Sequence, residues 1–290
     1  MNPVVRYHRP AVPLRPVVQF YTQRSMRIWD PVFVHPVPAR AARLMEFTFG
    51  DRIHVHYAGA AAEERSPAAV VVGMLTGPHA RLRLQGTLES FAIIFRATGM
   101  ASLFAAPLPE LVGRAFDVQS VVGREINELH GRLGECRSFE ARVAVADAFL
   151  ARRLNRAEAS DGVTTAAMLI EARHGRGTIE SVASAVGIGV RQLERRFAER
   201  LGIRPKLYAR MVRFQSALEC KARSGASWTR VAHEFGFHDQ MHLIHDFRHF
   251  TNGTPSETLR VMEGLFREQL ALARQGVGAT DARVVSRLVI

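Results

Sequence analysis

Two groups of histidines have the spacing of metal ligands. One group recurs every three or four residues near the carboxyl end, at His238, His242, His245 and His249. This spacing places side chains along one stripe of a helix, and imidazoles one helical turn apart can ligate zinc or nickel. The other group is His54 and His56, whose side chains point to one face if the segment is a strand.

Each histidine group also has an interpretation without a metal. Leu243 and Phe247 define the buried side of the first segment, so its histidines fall toward the exposed side. For the second group, Glu63 is too distant to be the usual glutamate of a metal-binding cupin barrel. His79 is only a loose match for the later histidine of such a site. We therefore predict no metal site and no cofactor.

The sequence lacks the familiar catalytic motifs. No G-x-S-x-G, P-loop or complete G-x-G-x-x-G motif occurs, and neither Cys136 nor Cys220 has a nearby histidine. The cysteines form no C-x-x-C pair, which fits a reducing cytoplasm. No apolar run reaches the roughly 18 residues of a membrane span, and residues 1–16 lack a signal-peptide core. We predict a cytoplasmic protein without membrane contact that is not an enzyme and has no catalytic residue.

The charge of the chain favours an anionic partner. Its 290 residues include 39 lysines and arginines against 27 acidic residues, for a net charge of +12. All the basic residues except Lys206 and Lys221 are arginines, whose planar guanidinium suits phosphates and base edges. A G+C-rich genome also raises arginine content whatever the function. Net charge alone leaves nucleic acids, anionic membranes and acidic partners open.

The order of patterns along the chain indicates two domains, as its length also suggests. Up to about residue 100 the signals are those of strands, apolar at 68–72 and 91–95 and alternating at 81–85. The pattern then becomes helical, and a short polar stretch separates two helical parts. We predict an α+β fold made of a β-rich, cupin-like domain with helices over 1–154, a linker over 155–162, an all-α domain over 163–262 and a tail over 263–290.

The all-α domain contains an internal repeat. One face of a short helix is formed by four apolar residues at i, i+3, i+4 and i+7, and the same spacing returns 49 residues later. The two sets are Ile179, Val182, Ala183 and Val186, and Trp228, Val231, Ala232 and Phe235. Thr178 and Ser227 precede the helices as caps. Gly187 and Gly236 end them, because a left-handed backbone costs glycine little.

A second helix follows each of these glycines. Its inward residues are four apart, Leu193 and Phe197 in the first copy and Leu243 and Phe247 in the second. Helix, tight glycine turn and helix make the helix-turn-helix unit, which presents one face of its second helix to the DNA major groove. Two plain helical hairpins would show the same pattern, but two copies favour DNA binding.

The segment between the two units predicts a long spacer helix. Pro205 suits its first turn, and Ser224-Gly225 would end it. A helix of about 19 residues spans roughly 28 Å, close to the roughly 34 Å between successive major-groove faces of B-DNA. One chain could thus place two reading helices in adjacent grooves.

These segments resemble the DNA-binding domain of the AraC/XylS family of bacterial transcription regulators over residues 163–260. The run GIGVRQLERRF at 187–197 is similar to the first unit of the family. The run GFHDQMHLIHDFR at 236–248, followed by NGTP at 252–255, closely matches its more specific second unit. The resemblance implies an N-terminal sensor or dimerisation domain, often a cupin-like barrel followed by helices, and activation of transcription with RNA polymerase as a partner.

Three positions depart from the family pattern. Gly189 replaces the usual serine cap, so the first reading helix is expected to fray at its start. Met241 stands where a small polar residue is common, which would exchange a polar DNA contact for contact with a thymine methyl. Asn252 replaces glycine at a left-handed position that asparagine tolerates.

The resemblance also implies which side chains touch DNA. They are Arg191, Glu194 and Arg195 in the first unit, and Gln240, Met241, His242 and His245 in the second. Arginine binds guanine bidentately, glutamine binds adenine, and glutamate accepts a hydrogen bond from cytosine. Arg196 and Arg248 are assigned to phosphates, which set affinity but not sequence. Any one of these side chains could instead be solvated surface.

For the N-terminal domain the resemblance implies an effector site in the mouth of a barrel. The ligand-binding residues would be Trp29, His54, His56 and Tyr57, with Phe47 and Phe49 beside them. The two phenylalanines have an equally good interpretation as barrel core. Residues 120–153 would supply a dimer helix. Nothing in the sequence names the effector.

The pattern as a whole predicts a sequence-specific transcription regulator, an activator that works as a homodimer. Its partners would be double-stranded promoter DNA, RNA polymerase and an unknown small-molecule effector. One alternative is a metal-dependent cupin-type enzyme with a DNA-binding appendage, which metal analysis of variants at His54 and His56 would reveal. The other is a non-specific architectural DNA binder, for which changes at Arg191 and Gln240 would weaken all DNA sequences equally.

Overall fold

A β-rich region followed by helices makes up the chain, which confirms the predicted fold class. The computed structural model describes residues 4–154 and 161–261, apart from the side chains of residues 29–33 and 35. The strands are β1 (Val4–His8), β2 (Val18–Val37), β3 (Arg43–Thr48), β4 (His54–Tyr57), β5 (Glu64–Arg65), β6 (Ala69–Val72), β7 (Ala80–Phe95) and β8 (Ala115–Asp117). Two 3-10 turns lie at Val12–Leu14 and Leu108–Leu111.

Four helices belong to the N-terminal region and six to the carboxyl-terminal one within the described residues. The first group is α1 (Gly99–Phe104), α2 (Val118–Val122), α3 (Glu125–Glu135) and α4 (Phe139–Leu154). The second is α5 (Gly162–Ala172), α6 (Ile179–Ala185), α7 (Val190–Leu201), α8 (Pro205–Ser224), α9 (Trp228–Glu234) and α10 (Gln240–Thr251). A further helical stretch starts at residue 255 and is described as far as residue 261. No helix in these ranges is both long enough and apolar enough to cross a membrane.

The eight described strands pair antiparallel in the order β1-β2-β7-β3-β6-β8, with β4 paired to β7 and to β5. In this order β1 and β8 are the two ends, so the described sheet is open where the sequence suggested a cupin-like barrel. β7 is the central strand, because β2, β3 and β4 all pair with it.

β7 is longer than the sequence predicted. The patterns at 81–85 and 91–95 suggested two separate strands, but the structure joins them in one. Gly86 lies inside the strand with φ +78°, and the register of β2 shifts opposite it, between Ile28 and Phe33. A glycine with positive φ can mark a bulge as well as a strand end. Here Gly86 lies where the pairing of β7 with β2 is irregular, and β7 continues beyond it.

Alternating residues divide the sheet between two sides. Met45 and Phe47 of β3 are fully buried against the helices, as is Phe91 of β7. The residues between them, including Leu44 and Ala92, face the other side and line a cavity. Period-two alternation thus separates the helix-covered core from the cavity.

The helices of the N-terminal region cover one side of the sheet. α3 buries Ile126, Leu129 and Leu133. Ser138 caps α4, since its hydroxyl accepts a hydrogen bond of 3.1 Å from the backbone N–H of Ala141. The segment 120–153, predicted as a dimer helix, contains the end of α2, all of α3 and most of α4.

The carboxyl-terminal region begins earlier than predicted. α5 starts at Gly162, and the Asp161 carboxylate caps it by accepting a 2.8 Å hydrogen bond from the N–H of Thr164. Asp161 and Gly162 were assigned to the linker over 155–162, but in the structure they are the cap and the first residue of α5, since aspartate is also a preferred N-cap. The remaining linker residues, 155–160, and the predicted tail over 263–290 lie outside the described residues.

Gly175 and Gly187 provide a matched pair for testing how α8 is packed. Both have φ +71°. A Cβ at Gly175 would lie 2.1 Å from the Ala209 carbonyl oxygen and 2.7 Å from the Arg213 nitrogen of α8, whereas one at Gly187 would have no neighbour within 4 Å. We expect Gly187→Ala to lower the free energy of unfolding by about 1–2 kcal/mol, the cost of the left-handed backbone. Gly175→Ala should lower the free energy of unfolding by roughly 1–3 kcal/mol more, because its methyl group would push α8 away from residue 175.

Urea unfolding of the two variants measures this difference directly. If both variants lost the same free energy of unfolding, α8 would have moved without an energetic penalty. The close approach of α8 to Gly175 would then not contribute to stability.

Candidate functional site

α8 is the spacer between the two helix-turn-helix units and also the centre of the carboxyl-terminal core. It begins at Pro205 and ends at Gly225, which has φ +65°, as the sequence predicted. Near its start the Tyr208 ring lies 5.5 Å from that of Phe197 in α7. Farther along, the Phe214 ring lies 4.8 Å from that of Phe247 in α10.

The helix starts and turns of both units match their predictions. The hydroxyls of Thr178 and Ser227 each accept a 3.2 Å hydrogen bond from the backbone N–H three residues later. Gly187 and Gly236 have φ +71° and +68° after α6 and α9. The internal repeat is therefore a repeat of structure, and α7 and α10 are its two second helices, called the reading helices below.

The first reading helix, α7, has one buried and one exposed side. Leu193, Phe197 and Leu201 are completely buried. Arg191 and Arg195, four residues apart, are exposed on the other side. Arg195 lies 3.7 Å from Glu199 one turn later, with both side chains at least 60% exposed, so water screens the pair and leaves the arginine free to move.

The flanks of α7 carry two further predicted residues. Glu194 is half-buried at one edge of the exposed side. Arg196 is exposed on another side of the helix, where it lines a shallow depression with Asp161 and Gly162 at the start of α5. The structure therefore separates Arg196 from Arg191 and Arg195. No side-chain cap is present at Gly189, as its glycine requires.

The second reading helix, α10, exposes one stripe. Met241, His245 and Arg248 lie along it, and Met241 is 65% exposed. Gln240 is the first residue, and its Oε1 accepts a 3.3 Å hydrogen bond from the Thr229 hydroxyl of α9. This bond gives the glutamine a defined position at the amino end of the helix.

Capping residues define both ends of α10. The Asp239 carboxylate accepts a 2.7 Å hydrogen bond from the N–H of His242. That bond, together with one to His238, holds the pKa of Asp239 below its usual range. At the other end Asn252 has φ +59°, the left-handed conformation predicted for it.

His242 packs inward, unlike the other residues predicted to touch DNA. Its ring lies 5.5 Å from that of Phe237, and its Nδ1 accepts a 3.4 Å hydrogen bond from the N–H of His238. The side chain is half-buried. This packing accounts for His242 better than a base contact does.

The metal interpretation of the histidines finds no support in the geometry. In this group of histidines, the side chains of His238 and His245 are exposed. The His242 side chain instead packs against the turn between α9 and α10. Burial and the neighbouring Arg210 keep the pKa of His249 below its usual value. In the described part of the chain, no group of three or more His, Cys, Asp and Glu side chains could hold a metal ion.

A buried ionic cluster joins α10 to α8, and the sequence analysis missed it. The Asp246 side chain is completely buried. Its Oδ1 accepts hydrogen bonds of 3.1 and 2.7 Å from Arg210 Nε and Nη2, and Arg213 lies 3.5 Å from its Oδ2. A carboxylate on the apolar face of α10, with two arginines three residues apart on α8, was the available signal.

The cavity beneath the sheet has a volume of about 100 Å³. Of the four residues predicted to bind an effector, Tyr57 lines it. His54 and His56 are not among its lining residues, because in β4 they alternate with Val55 and Tyr57, which are. The Trp29 side chain is outside the described set. The structure therefore separates the two histidines from this cavity, because their strand register directs them to the opposite face. The ligand-binding role of the set stays a prediction.

The two phenylalanines considered with that set belong to the core on the helix side. The rings of Phe47 and Phe49 lie 5.6 and 5.5 Å from that of His130 in α3. Burial is the main cause that lowers the pKa of His130. These contacts support the interpretation of Phe47 and Phe49 as core.

One corner of the cavity is charged. Arg24 forms an ion pair with Glu46. Burial opposes ionisation of Glu46, but Arg24 and Arg40 outweigh it and hold the pKa of the carboxyl below its usual range. Arg40 is 8% exposed, and burial lowers its pKa to about 10 although Glu46 acts in the other direction. Within the described residues, the buried Nε of Arg40 has no hydrogen-bond partner.

A second buried arginine connects the sheet to the first reading helix. Arg43 of β3 is completely buried. Its guanidinium donates hydrogen bonds to the carbonyl oxygens of Ala97 at 3.0 Å, Leu108 at 3.4 Å and Leu201 at 2.7 Å. Leu201 is the last residue of α7, so the cation also lies at the negative end of the helix dipole.

Residues 39–43, called the tether segment below, contact both reading helices. The Ala39 N–H donates a 2.8 Å hydrogen bond to the Phe250 carbonyl oxygen in the last turn of α10. The Ala41 N–H donates a 3.3 Å bond to Gln215 Oε1 on α8. With Arg43 at α7, one short segment of the sheet region is bonded to all three helices that set the geometry of the reading surface.

The comparison with known families identifies the domain that contains the two reading helices. Residues 182–260 match the model described as "Helix-turn-helix domain". Residues 182–260 form an AraC-type helix-turn-helix domain. The resemblance seen in the sequence is thereby confirmed, and the AraC-type domain gives the chain a DNA-binding part of the kind that transcription regulators carry.

The chain is similar to two solved structures. No curated protein matches the chain. An apo structure of a ToxT variant from Vibrio cholerae covers 87% of this chain and 99% of its own, with 9% identity and a TM-score of 0.50. At that identity the likeness shows the fold alone. An AraC-type DNA-binding regulator from Chromobacterium violaceum is 29% identical over 34% of this chain and 89% of its own, with a TM-score of 0.32.

Replacing Asp246 tests how the second unit of the AraC-type domain is held. In Asp246→Ala two partly buried guanidinium groups lose their counterion, so we expect a loss of about 3 kcal/mol in the free energy of unfolding. Glu199→Ala removes the partner of an exposed arginine and should change it by less than about 1 kcal/mol. Urea unfolding compares the two. A similar small loss in both variants would show that the buried cluster does not stabilise the packing of α10 on α8.

Proposed function

We propose that this chain is a transcription regulator that binds promoter DNA sequence-specifically through both reading helices and responds to a small effector through its N-terminal region. The duplicated unit carries this proposal: α7 and α10 each bury one side completely and expose the other. The 20 residues of α8 correspond to about 30 Å of helix. This length is close to the roughly 34 Å between successive major-groove faces.

We assign the reading of bases to residues on the exposed side of each helix and at its edge. In α7, Arg191 and Arg195 suit guanine and Glu194 suits the amino group of cytosine. In α10, Gln240 suits adenine, and its bond to Thr229 supports this role because it orients the amide. Met241 offers an apolar contact for a thymine methyl, and His245 lies beside it on the same stripe.

Phosphate contacts are assigned to two arginines. Arg248 is exposed on the stripe of α10. Arg196 lies at the side of α7 near the start of α5, away from the base-reading residues, a position suited to a DNA backbone at the edge of a groove. His242 is left out of the DNA-contacting set because its ring packs on Phe237.

The family resemblance supports three further parts of the proposal. These are activation through contact with RNA polymerase, a homodimer formed through the 120–153 segment, and an effector site in the N-terminal region. The cavity lined by Tyr57 and the charged corner is the site we assign to the effector. Light scattering of the purified chain measures the oligomeric state.

The base-reading roles make a specific prediction for two substitutions. Arg191→Ala and Gln240→Ala each remove one bidentate contact, so each should relax the preference at one base pair by about 1–3 kcal/mol. Binding of each variant to a library of single-base variants of the selected DNA site, at fixed salt, measures this.

Arg248→Ala is the matched control, because it removes a cation assigned to phosphate. It should weaken binding to all sequences alike and reduce the slope of affinity against salt by about 1. If Arg191→Ala and Gln240→Ala also weakened every sequence equally, the chain would be a non-specific architectural binder and the regulator proposal would fail.

A further inference from the structure

The cavity beneath the sheet has a mainly apolar lining and one charged corner. Most of its lining is aliphatic, including Val37, Leu44, Val70, Leu82 and Ile94. Its volume of about 100 Å³ is of the order of an engineered cavity of about 150 Å³ that binds benzene. The space therefore suits a small organic molecule with a largely apolar body.

The charged corner of the cavity, formed by Arg24, Glu46 and Arg40, has a net positive charge. Arg24 and Glu46 neutralise each other as an ion pair. Arg40 remains, buried to more than nine-tenths, with its Nε unpartnered among the described residues. Such a group costs free energy unless a counterion or hydrogen-bond acceptor meets it. Arg114 also lines the cavity but is exposed and lies 5.6 Å from the centre of the Tyr57 ring, so water screens its charge.

We propose that this cavity binds a small amphipathic monocarboxylate, with the carboxylate on the Arg40 guanidinium and the apolar part against the aliphatic lining. A guanidinium holds a carboxylate through two parallel hydrogen bonds. One negative charge balances the single excess positive charge of the interior, which favours a monoanion over a dianion. This inference rests on the proposed effector-sensing function and names the chemical class of the effector.

The position of Arg40 in the chain gives the ligand a route to the DNA-binding domain. Arg40 is the second residue of the tether segment, and its backbone is paired with Leu75 by two hydrogen bonds of 2.7 and 3.0 Å. Its neighbours on either side are bonded to α10, α8 and α7. A ligand that binds better to one arrangement of Arg40 thus also favours one arrangement of the reading helices, by its difference in affinity for the two.

Hexanoate and hexanamide, which share their shape but differ in charge, test the ligand class. With the full-length chain in calorimetry, we expect hexanoate to bind at least roughly tenfold more tightly, the effect of one charge-assisted contact. Arg40→Gln should remove this difference. Arg81→Gln is the matched control, because Arg81 is exposed and not in the cavity lining, and it should retain the difference.

The comparison of the two probes in the unmodified chain stands even if Arg40→Gln does not fold. Equal affinity for hexanoate and hexanamide, or no binding of hexanoate at millimolar concentration, would overturn the proposed ligand class. Loss of the preference in Arg81→Gln as well as in Arg40→Gln would overturn the assignment to Arg40.

DNA binding tests the route through the tether segment. The DNA is the duplex that the chain selects from a random pool, and its affinity is measured with and without saturating hexanoate. We expect hexanoate to change this affinity about fivefold or more, the range of common allosteric couplings. Gln215→Leu, which removes the acceptor for the Ala41 N–H, should retain hexanoate binding and lose most of the change in DNA affinity.

The outcomes separate this inference from the proposed function. Hexanoate binding without any change in DNA affinity would overturn the route through the tether segment. Selection of a defined duplex by a chain that ignores hexanoate would leave the DNA-binding regulator standing and end the inference. A chain that selects no duplex would end the regulator proposal, while calorimetry would still decide what the cavity binds.

Discussion

The geometry of the reading surface depends on one buried guanidinium. Arg43 is held by backbone carbonyls of the sheet region at Ala97 and Leu108, and it extends from there to the last carbonyl of α7. Burial lowers its pKa to about 10, which leaves it charged at neutral pH. A buried cation is tolerated only with such acceptors around it. The sheet region and the first reading helix therefore cannot separate without breaking the 2.7 Å bond to the Leu201 carbonyl oxygen and leaving the buried cation with fewer acceptors.

The second reading helix is held by the same kind of force on its other side. Asp246 fixes α10 to α8 through Arg210 and Arg213, and the Phe250 carbonyl is bonded to the Ala39 N–H. Both reading helices thus have their carboxyl ends secured against the protein, while their amino ends remain exposed. That is the arrangement in which the first residues of a recognition helix can enter a groove.

The helices of the AraC-type domain could be predicted because local rules fix them. Thr178, Ser227 and the two turn glycines each act within a few residues of their own position, so the sequence contains the whole signal. The sheet was harder, since Gly86 has the composition of a strand end and only the pairing with β2 shows that the strand continues. The placement of His54 and His56 could not be predicted for a related reason. An alternating pattern shows that two side chains share a face but not which face meets the cavity.

The residues that matter most for the candidate cavity were not visible in the sequence. Arg40, Arg43 and Glu46 lie within seven residues of each other, and nothing in that stretch separates them from ordinary surface charges. Their burial results from contacts with Leu75, Leu201 and Arg24, which are distant in sequence for the first two. Asp246 differs from these residues, because its place on the apolar face of α10 was a signal, although its arginine partners belong to another helix.

The unequal starts of the two reading helices have a consequence for the DNA that the chain accepts. The Asp239 carboxylate caps the first turn of α10 through a hydrogen bond. Gly189, the residue before α7, has no side chain that could make such a bond. The first turn of α7 can therefore adjust to small differences in groove shape at little cost, and that of α10 cannot. We expect an operator with one permissive half and one strict half, visible as unequal tolerance to base changes on its two sides.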